Sequence, residues 1–179
     1  CAASSNVISI VSGPDASDHP QLFLDAGASA VISGEPVEAL CEWLSASEAQ
    51  PVEGVWGLFG AEGRRSPQRD LDSWPDAQWS ICNLKPYKEM WLKQHGYWEI
   101  NIWTARGCPY RCHWCAKPIW GRSHATRSPD RVAAEIEYLR ALYGPDRIWF
   151  TDDIFAIKAD WLFAFSQRVA KEPLPFRCL

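Results

Sequence analysis

The sequence predicts a mixed α/β chain, on two observations. From the N-terminus, short β-branched runs alternate with amphipathic helical stretches, and glycine or proline marks the changes. After a long proline-punctuated interval, the same alternation starts again at Tyr97. A hydrophobic fraction of 47% is ample for buried cores, and a net charge of -4 with scattered Lys and Arg offers no basic stripe for nucleic acid. No apolar run approaches the roughly 20 residues needed to span a bilayer.

Asn6 to Ser12 is β-branched and mostly apolar, and it breaks at Gly13-Pro14, the pattern of a strand ending in a turn. Asp18 is expected to cap the next helix, with Pro20 in its first turn, Leu22, Phe23 and Ala26 as its apolar face and Gly27 as its stop. Ala30 to Ser33 repeats the strand signal before Gly34-Glu35-Pro36, and Val37 to Leu44 predicts a second amphipathic helix. Strand, helix, strand, helix implies parallel pairing.

Residues 46–96 read as a connecting region, in which Val55 to Phe59 and Arg64 to Ser66 are expected to form a small hairpin around Gly60 to Gly63. Trp74, Trp79, Tyr87 and Trp91 are expected to anchor it by packing, because disordered linkers are poor in aromatics. From Tyr97, Trp98, Ile100, Ile102 and Thr104 alternate with more polar neighbours in a strand that runs into a cysteine loop. Ser128 then caps a helix with Pro129 in its first turn, Val132, Ile136, Leu139 and Leu142 as its buried stripe and Gly144-Pro145 as its stop. Arg147 to Thr151 is the next strand, followed by Asp152-Asp153, a helix over Asp160 to Ala170 with Trp161, Phe165 and Val169 inward, and a third strand at Phe176 to Leu179. Such a series starts a doubly wound sheet or a barrel, whose loops at the C-terminal strand ends gather on one face. The cysteine loop and Asp152-Asp153 are expected beside each other there.

That loop, Gly107 to Cys115, carries Cys108, Cys112 and Cys115 with gaps of three and two residues. Seven cysteines, three of them clustered, argue for a reducing compartment and metal ligation over a disulfide framework. An iron–sulfur cube held by three thiolates keeps one iron open for a non-protein ligand. Gly107 permits close backbone approach, Pro109 restricts the loop, and Arg111 and Lys117 offset thiolate and sulfide charge. The residues leave three other readings open: zinc with His113 or His124 as fourth ligand, a ferredoxin-like carrier recruiting Cys82, Cys41 or Cys178, and unliganded structural thiols.

The pattern Cys108-x-x-x-Cys112-x-Trp114-Cys115 at the end of a strand resembles the signature of the radical S-adenosylmethionine enzymes. Segments similar to Gly13-Pro-Asp-Ala-Ser17, Gly34-Glu35-Pro36, Cys115-Ala-Lys-Pro118 and Trp149-Phe-Thr-Asp-Asp153 recur in that order in the cobalamin-binding branch of the family. The resemblance implies that residues 1–45 are the C-terminal half of a Rossmann-like cobalamin (B12) domain, 46–96 a linker, and 97–179 the first βα units of a partial (βα)6 barrel. It implies a [4Fe–4S] cluster on Cys108, Cys112 and Cys115, with S-adenosylmethionine on the open iron, Trp114 beside its adenine, and Ser12, Gly13 and Gly34 near the cobalamin nucleotide tail. Two departures stand out: an Asp-x-His-x-x-Gly motif is absent from these residues, and Asp152-Asp153 replaces the family's Gly-Gly-Glu, which gives Asp152 the amino group of S-adenosylmethionine.

The activity so implied is reductive cleavage of S-adenosylmethionine to a 5'-deoxyadenosyl radical, with methylation of an unactivated carbon by way of cobalamin. Radical cyclisation or rearrangement is the alternative within the branch, and a zinc-stabilised, non-enzymatic binding module is the alternative outside it. A small-molecule substrate, a reducing partner such as flavodoxin or ferredoxin, and a cytoplasmic location go with the first reading. No catalytic residue beyond the cofactor ligands is assigned. The chain opens at Cys1 and ends where a strand is expected to begin, so it is expected to be a piece of a longer protein, inactive alone.

Overall fold

Val11 and Val31 are paired residues in the first sheet, where β-branched side chains favour extended backbone. The computed structural model describes residues 7–46, 50–110, 112–115 and 123–170. These fall in two units, Cys1–Gln68 with Pro109–Ser123, and Arg69–Cys108 with His124–Leu179. Among the described residues no helix is long and apolar enough to cross a membrane.

In the first unit, β1 (Ile10–Ser12) pairs in parallel with β2 (Ala30–Ile32), as the alternation requires. Two short helices intervene, α1 (Pro14–Asp18) and α2 (Pro20–Asp25). α2 is the helix expected with Pro20 in its first turn, but its N-cap is His19, at φ -131, ψ 52, and not Asp18, which ends α1; a residue before proline avoids the helical region. Nor does α2 bury the expected face; Leu22 is 65% exposed. α3 (Pro36–Leu44) follows β2 and buries Ala39 and Trp43.

The expected hairpin is replaced by a different pairing. β3 (Val52–Glu53) runs parallel to β5 (Gly60–Ala61), while β4 (Val55–Gly57) joins β2 antiparallel, with Val55 opposite Ile32. Val55, fully buried, lies with Ala30, Ile32, Ala39, Trp43 and Val52 in one apolar cluster, cover that the polar Arg64 to Ser66 stretch cannot supply. The Trp43 indole donates to the Leu58 carbonyl at 2.6 Å, satisfying its polar atom within that cluster.

The second unit contains a helix that the sequence reading treats as linker, α4 (Lys85–His95). Its signals are ordinary ones, Pro86 in the first turn and Gly96 as a left-handed C-cap at φ 75. Trp79 and Trp91 pack on the core as anticipated, but Tyr87 is exposed. β6 (Glu99–Ile102) pairs in parallel with β9 (Arg147–Phe150), register Ile100 to Ile148 and Ile102 to Phe150. The crossover between them contains α5 (Pro129–Tyr143), and α6 (Ala159–Val169) follows β9. Trp98, Ile100, Ile102, Val132, Ile136, Leu139, Ile148, Phe150, Trp161 and Phe165 form its core. The α5 stripe continues through Tyr143 instead of Leu142, which points about a quarter turn away and is 55% exposed. The third strand expected at Phe176 to Leu179 lies outside the described residues.

Ser128 caps α5 as expected, accepting from the Arg131 backbone N–H at 3.4 Å. The Ser128 backbone N–H donates in turn to the Asp72 carboxylate at 3.0 and 3.2 Å. Partial burial pulls the Asp72 carboxyl upward, but the Ser128 hydrogen bonds and the charges on Arg131 and Arg127 outweigh it and hold its pKa below the ordinary 3.8. A depressed carboxylate stabilises the fold above its unfolded pKa, and that contribution disappears as pH falls through the lower folded value. Thermal melts below pH 3.8 are therefore expected to lose stability in wild type, and Asp72→Asn is expected to flatten that acid limb.

Candidate functional site: the cysteine excursion and its neck

After Ile102 the chain leaves the β6–β9 sheet, bends at Trp103-Thr104, and forms β7 (Ala105–Arg106) before Gly107 and Cys108. It returns through His124 into β8 (Ala125–Thr126), which pairs antiparallel with β7, Ala105 opposite Thr126 and Arg106 opposite Ala125. The cysteine loop is thus an excursion whose neck is a two-stranded ladder. Such a short ladder is marginal by itself, and in this protein three sets of contacts brace it.

The first is Arg127, whose side chain is only 5% exposed. Its backbone N–H donates to the Thr104 carbonyl at 2.8 Å and its Nη1 to the Trp103 carbonyl at 3.0 Å, while the guanidinium lies 5.0 Å over the Trp103 ring. Glu135 accepts from the same guanidinium at 2.5 Å, giving the buried cation a paired anion, and Trp161 Nε1 donates to the Arg127 carbonyl at 2.6 Å. The second is Trp74, which packs edge-on against Trp103 at 6.3 Å and carries the Arg106 guanidinium 4.9 Å above its ring. The third is Asp152, just beyond the C-terminal end of β9. Its Oδ1 accepts from the backbone N–H groups of Thr104 and Ala105, at 2.6 and 2.9 Å, and its Oδ2 accepts from the Thr104 hydroxyl.

Asp152 therefore reaches the start of the excursion, with three donors of the chain itself on its carboxylate. Cys108 and Cys115 are half-buried and Cys112 is exposed, all three as free thiols. Cys112 and Cys115 share one turn, closed by the Cys115 N–H donating to the Cys112 carbonyl at 3.2 Å. Trp114 on that turn is 88% exposed. The donor set suits a soft metal centre, although among the described residues no three His, Cys, Asp or Glu side chains already converge on one point. His124 Nε2 is buried with no hydrogen-bond partner among the described residues. Arg111, Lys117 and Cys178 lie outside the described residues.

Ser12 ends the parallel strand β1 and Gly13 follows it, while Gly34 stands two residues past the end of β2. Ser17 ties these loops together, its carbonyl accepting from the Ser33 hydroxyl at 3.0 Å and its hydroxyl from the Gly34 N–H at 3.0 Å. The two glycines differ in what they make room for. A Cβ on Gly13, at φ 130, would meet nothing within 4 Å among the described residues. A Cβ on Gly34, at φ 90, would lie 2.1 Å from the Arg65 carbonyl oxygen, so this glycine admits the chain's own backbone.

Arg127, Trp161, Trp74 and Thr104 escape sequence reading as parts of the site. Arg127 stands ahead of a helix cap without any pattern of its own, and Thr104 reads only as the last inward residue of a strand. One local signal does exist: Thr104-Ala-Arg106 and Ala125-Thr-Arg127 are short β-compatible pieces on either side of the loop.

No family model matches the chain. It is 28% identical over 180 residues, 94% of its length, to an uncharacterized methyltransferase of Pyrococcus horikoshii, of which that covers 38%. The likeness extends to a cyclase and, in fold alone, to a radical S-adenosylmethionine methyltransferase. The anaerobic magnesium-protoporphyrin IX monomethyl ester cyclase of Cereibacter sphaeroides is 28% identical over 156 residues, 81% of this chain and 25% of the cyclase. In fold, the α/β architecture matches a solved structure of the radical S-adenosylmethionine methyltransferase TsrM from Kitasatospora setae, with cobalamin and a [4Fe–4S] cluster bound. That match has a TM-score of 0.59 and 20% identity, over 90% of this chain and 33% of TsrM. The chain thus spans well under half the length of each of these proteins.

Proposed function

We propose that this chain is part of a cobalamin-dependent radical S-adenosylmethionine methyltransferase that acts on an unactivated carbon of a small molecule. The single observation behind the reading is the Cys108, Cys112, Cys115 triad on an excursion braced at the C-terminal end of a parallel strand, where α/β folds keep their chemistry. The likeness to a methyltransferase along 94% of the chain supports methylation over cyclisation.

In this reading Cys108, Cys112 and Cys115 hold a [4Fe–4S] cluster, and the fourth iron is left to S-adenosylmethionine. Bound there, the cluster would supply the electron for cleavage of the sulfonium, and cobalamin would carry the methyl group. The chain's own residues bind and orient. The exposed Trp114 ring, next to Cys115, offers a stacking face for adenine. Gly13, with open space at its Cβ among the described residues, and Ser12 line the cobalamin side, while Gly34 lets the next loop close on Arg65. The electron comes from a reducing partner such as flavodoxin or ferredoxin, and the free thiols belong in a reducing, cytoplasmic compartment.

Full-length protein, reconstituted with iron and sulfide without oxygen, is the test. Formation of 5'-deoxyadenosine from S-adenosylmethionine on reduction is the expected result. A preparation that binds one zinc per chain, holds no sulfide and never cleaves S-adenosylmethionine would sink the reading in favour of a zinc-stabilised binding module.

A further inference from the structure

We propose that Asp152 is a positioning residue for the cysteine excursion, acting through Thr104 and Ala105, and that its negative charge is not what the site uses. The inference rests on the proposed cluster reading for its link to cofactor binding, but the clamp itself does not. Four features point to it. Asp152 lies 48 residues from Thr104 yet receives both of its donor groups, N–H and hydroxyl. It also receives the N–H of Ala105, the first residue of the neck ladder. Thr104 is 1% exposed, so its hydroxyl depends on Asp152 for a partner that water would otherwise supply. Finally, Thr104 stands at the bend where the chain changes from pairing with β9 to pairing with β8.

This geometry separates acceptor shape from charge. An asparagine at 152 can keep its carbonyl oxygen on the two N–H groups and turn its amide N–H toward the Thr104 oxygen, which accepts as readily as it donates. A carboxylate that instead held the ammonium of S-adenosylmethionine would lose that partner in the same asparagine variant. The two roles therefore predict opposite outcomes for one substitution.

The experiment uses full-length Asp152→Asn, Asp152→Ala and Thr104→Val. Amide hydrogen exchange at Ala105, Arg106 and Arg127 is read first, on cluster-free protein, so that it stands whether or not a cluster forms. Asp152→Asn is expected to keep wild-type protection, while Asp152→Ala speeds exchange at these amides about tenfold or more, the scale of buried donors left without an acceptor. Thr104→Val, which preserves side-chain bulk, is expected to fall between them and covers the case in which Asp152→Ala does not fold. After reconstitution, iron retention and S-adenosylmethionine affinity by equilibrium dialysis are expected to follow the same order, with Asp152→Asn within about twofold of wild type. The proposal is overturned if Asp152→Ala folds and leaves neck exchange unchanged, if Thr104→Val does so, or if Asp152→Asn keeps the neck protected but loses S-adenosylmethionine affinity. A wild type that takes up no cluster would count against the proposed function alone, and the exchange order would still decide the clamp.

Discussion

Replacing any one of Cys108, Cys112 or Cys115 with alanine in the full-length protein is expected to drop reconstituted iron from about four atoms per chain to below about one, because two thiolates do not retain a cube. Cys41→Ala and Cys82→Ala are expected to leave iron unchanged. Both of those thiols are free and exposed, and neither stands in the excursion. Iron and sulfide analysis with anaerobic absorption spectra reads both arms. The three variants should keep their fold, since none of these side chains is buried in either core cluster. Equal iron in the Cys112 variant and wild type would remove that thiol from the ligand set.

The second large effect belongs to Gly34. Gly34→Ala is expected to destabilise the first unit by about 3 kcal/mol, combining roughly 1–2 kcal/mol for a side chain held in left-handed backbone with roughly 1–3 kcal/mol for overpacking. The added Cβ would stand 2.1 Å from the Arg65 carbonyl oxygen and 2.9 Å from its nitrogen, backbone atoms that cannot rotate aside. Arg65 is itself fixed, its N–H donating to the Ser33 carbonyl at 2.8 Å and its guanidinium paired with Glu42. Urea unfolding followed by circular dichroism measures the loss. A variant of wild-type stability that fails only to bind cobalamin would show that Gly34 serves the ligand and not Arg65. Gly13→Ala is the contrast: it carries the backbone strain without the clash, so it should cost less.

Most element positions were legible in the sequence because their causes are local. The alternation of Trp98, Ile100, Ile102 and Thr104 needs no distant partner to be recognised, and all four are buried. Ser128-Pro129 and Gly144 mark the ends of α5 through hydrogen bonds and dihedral preferences a few residues wide. The misreadings came where two local rules competed. His19, the residue before Pro20, took the cap position expected of Asp18, and the prolines of 46–96 obscured α4, although Pro86 and Gly96 are its proper ends.

The sequence by itself determined the α/β order, the parallel pairing of β1 with β2 and of β6 with β9, and the cysteine spacing that makes a three-thiolate centre the leading chemistry. Only the tertiary structure decided that β4 pairs with β2, that Gly34 makes way for Arg65, and that Asp152, Arg127 and Trp74 brace the neck of the excursion. The physical reason is range. Propensity, capping and periodicity act over a turn or a strand, whereas a carboxylate finds an unsatisfied N–H across 48 residues only after two strands have paired and brought their ends together.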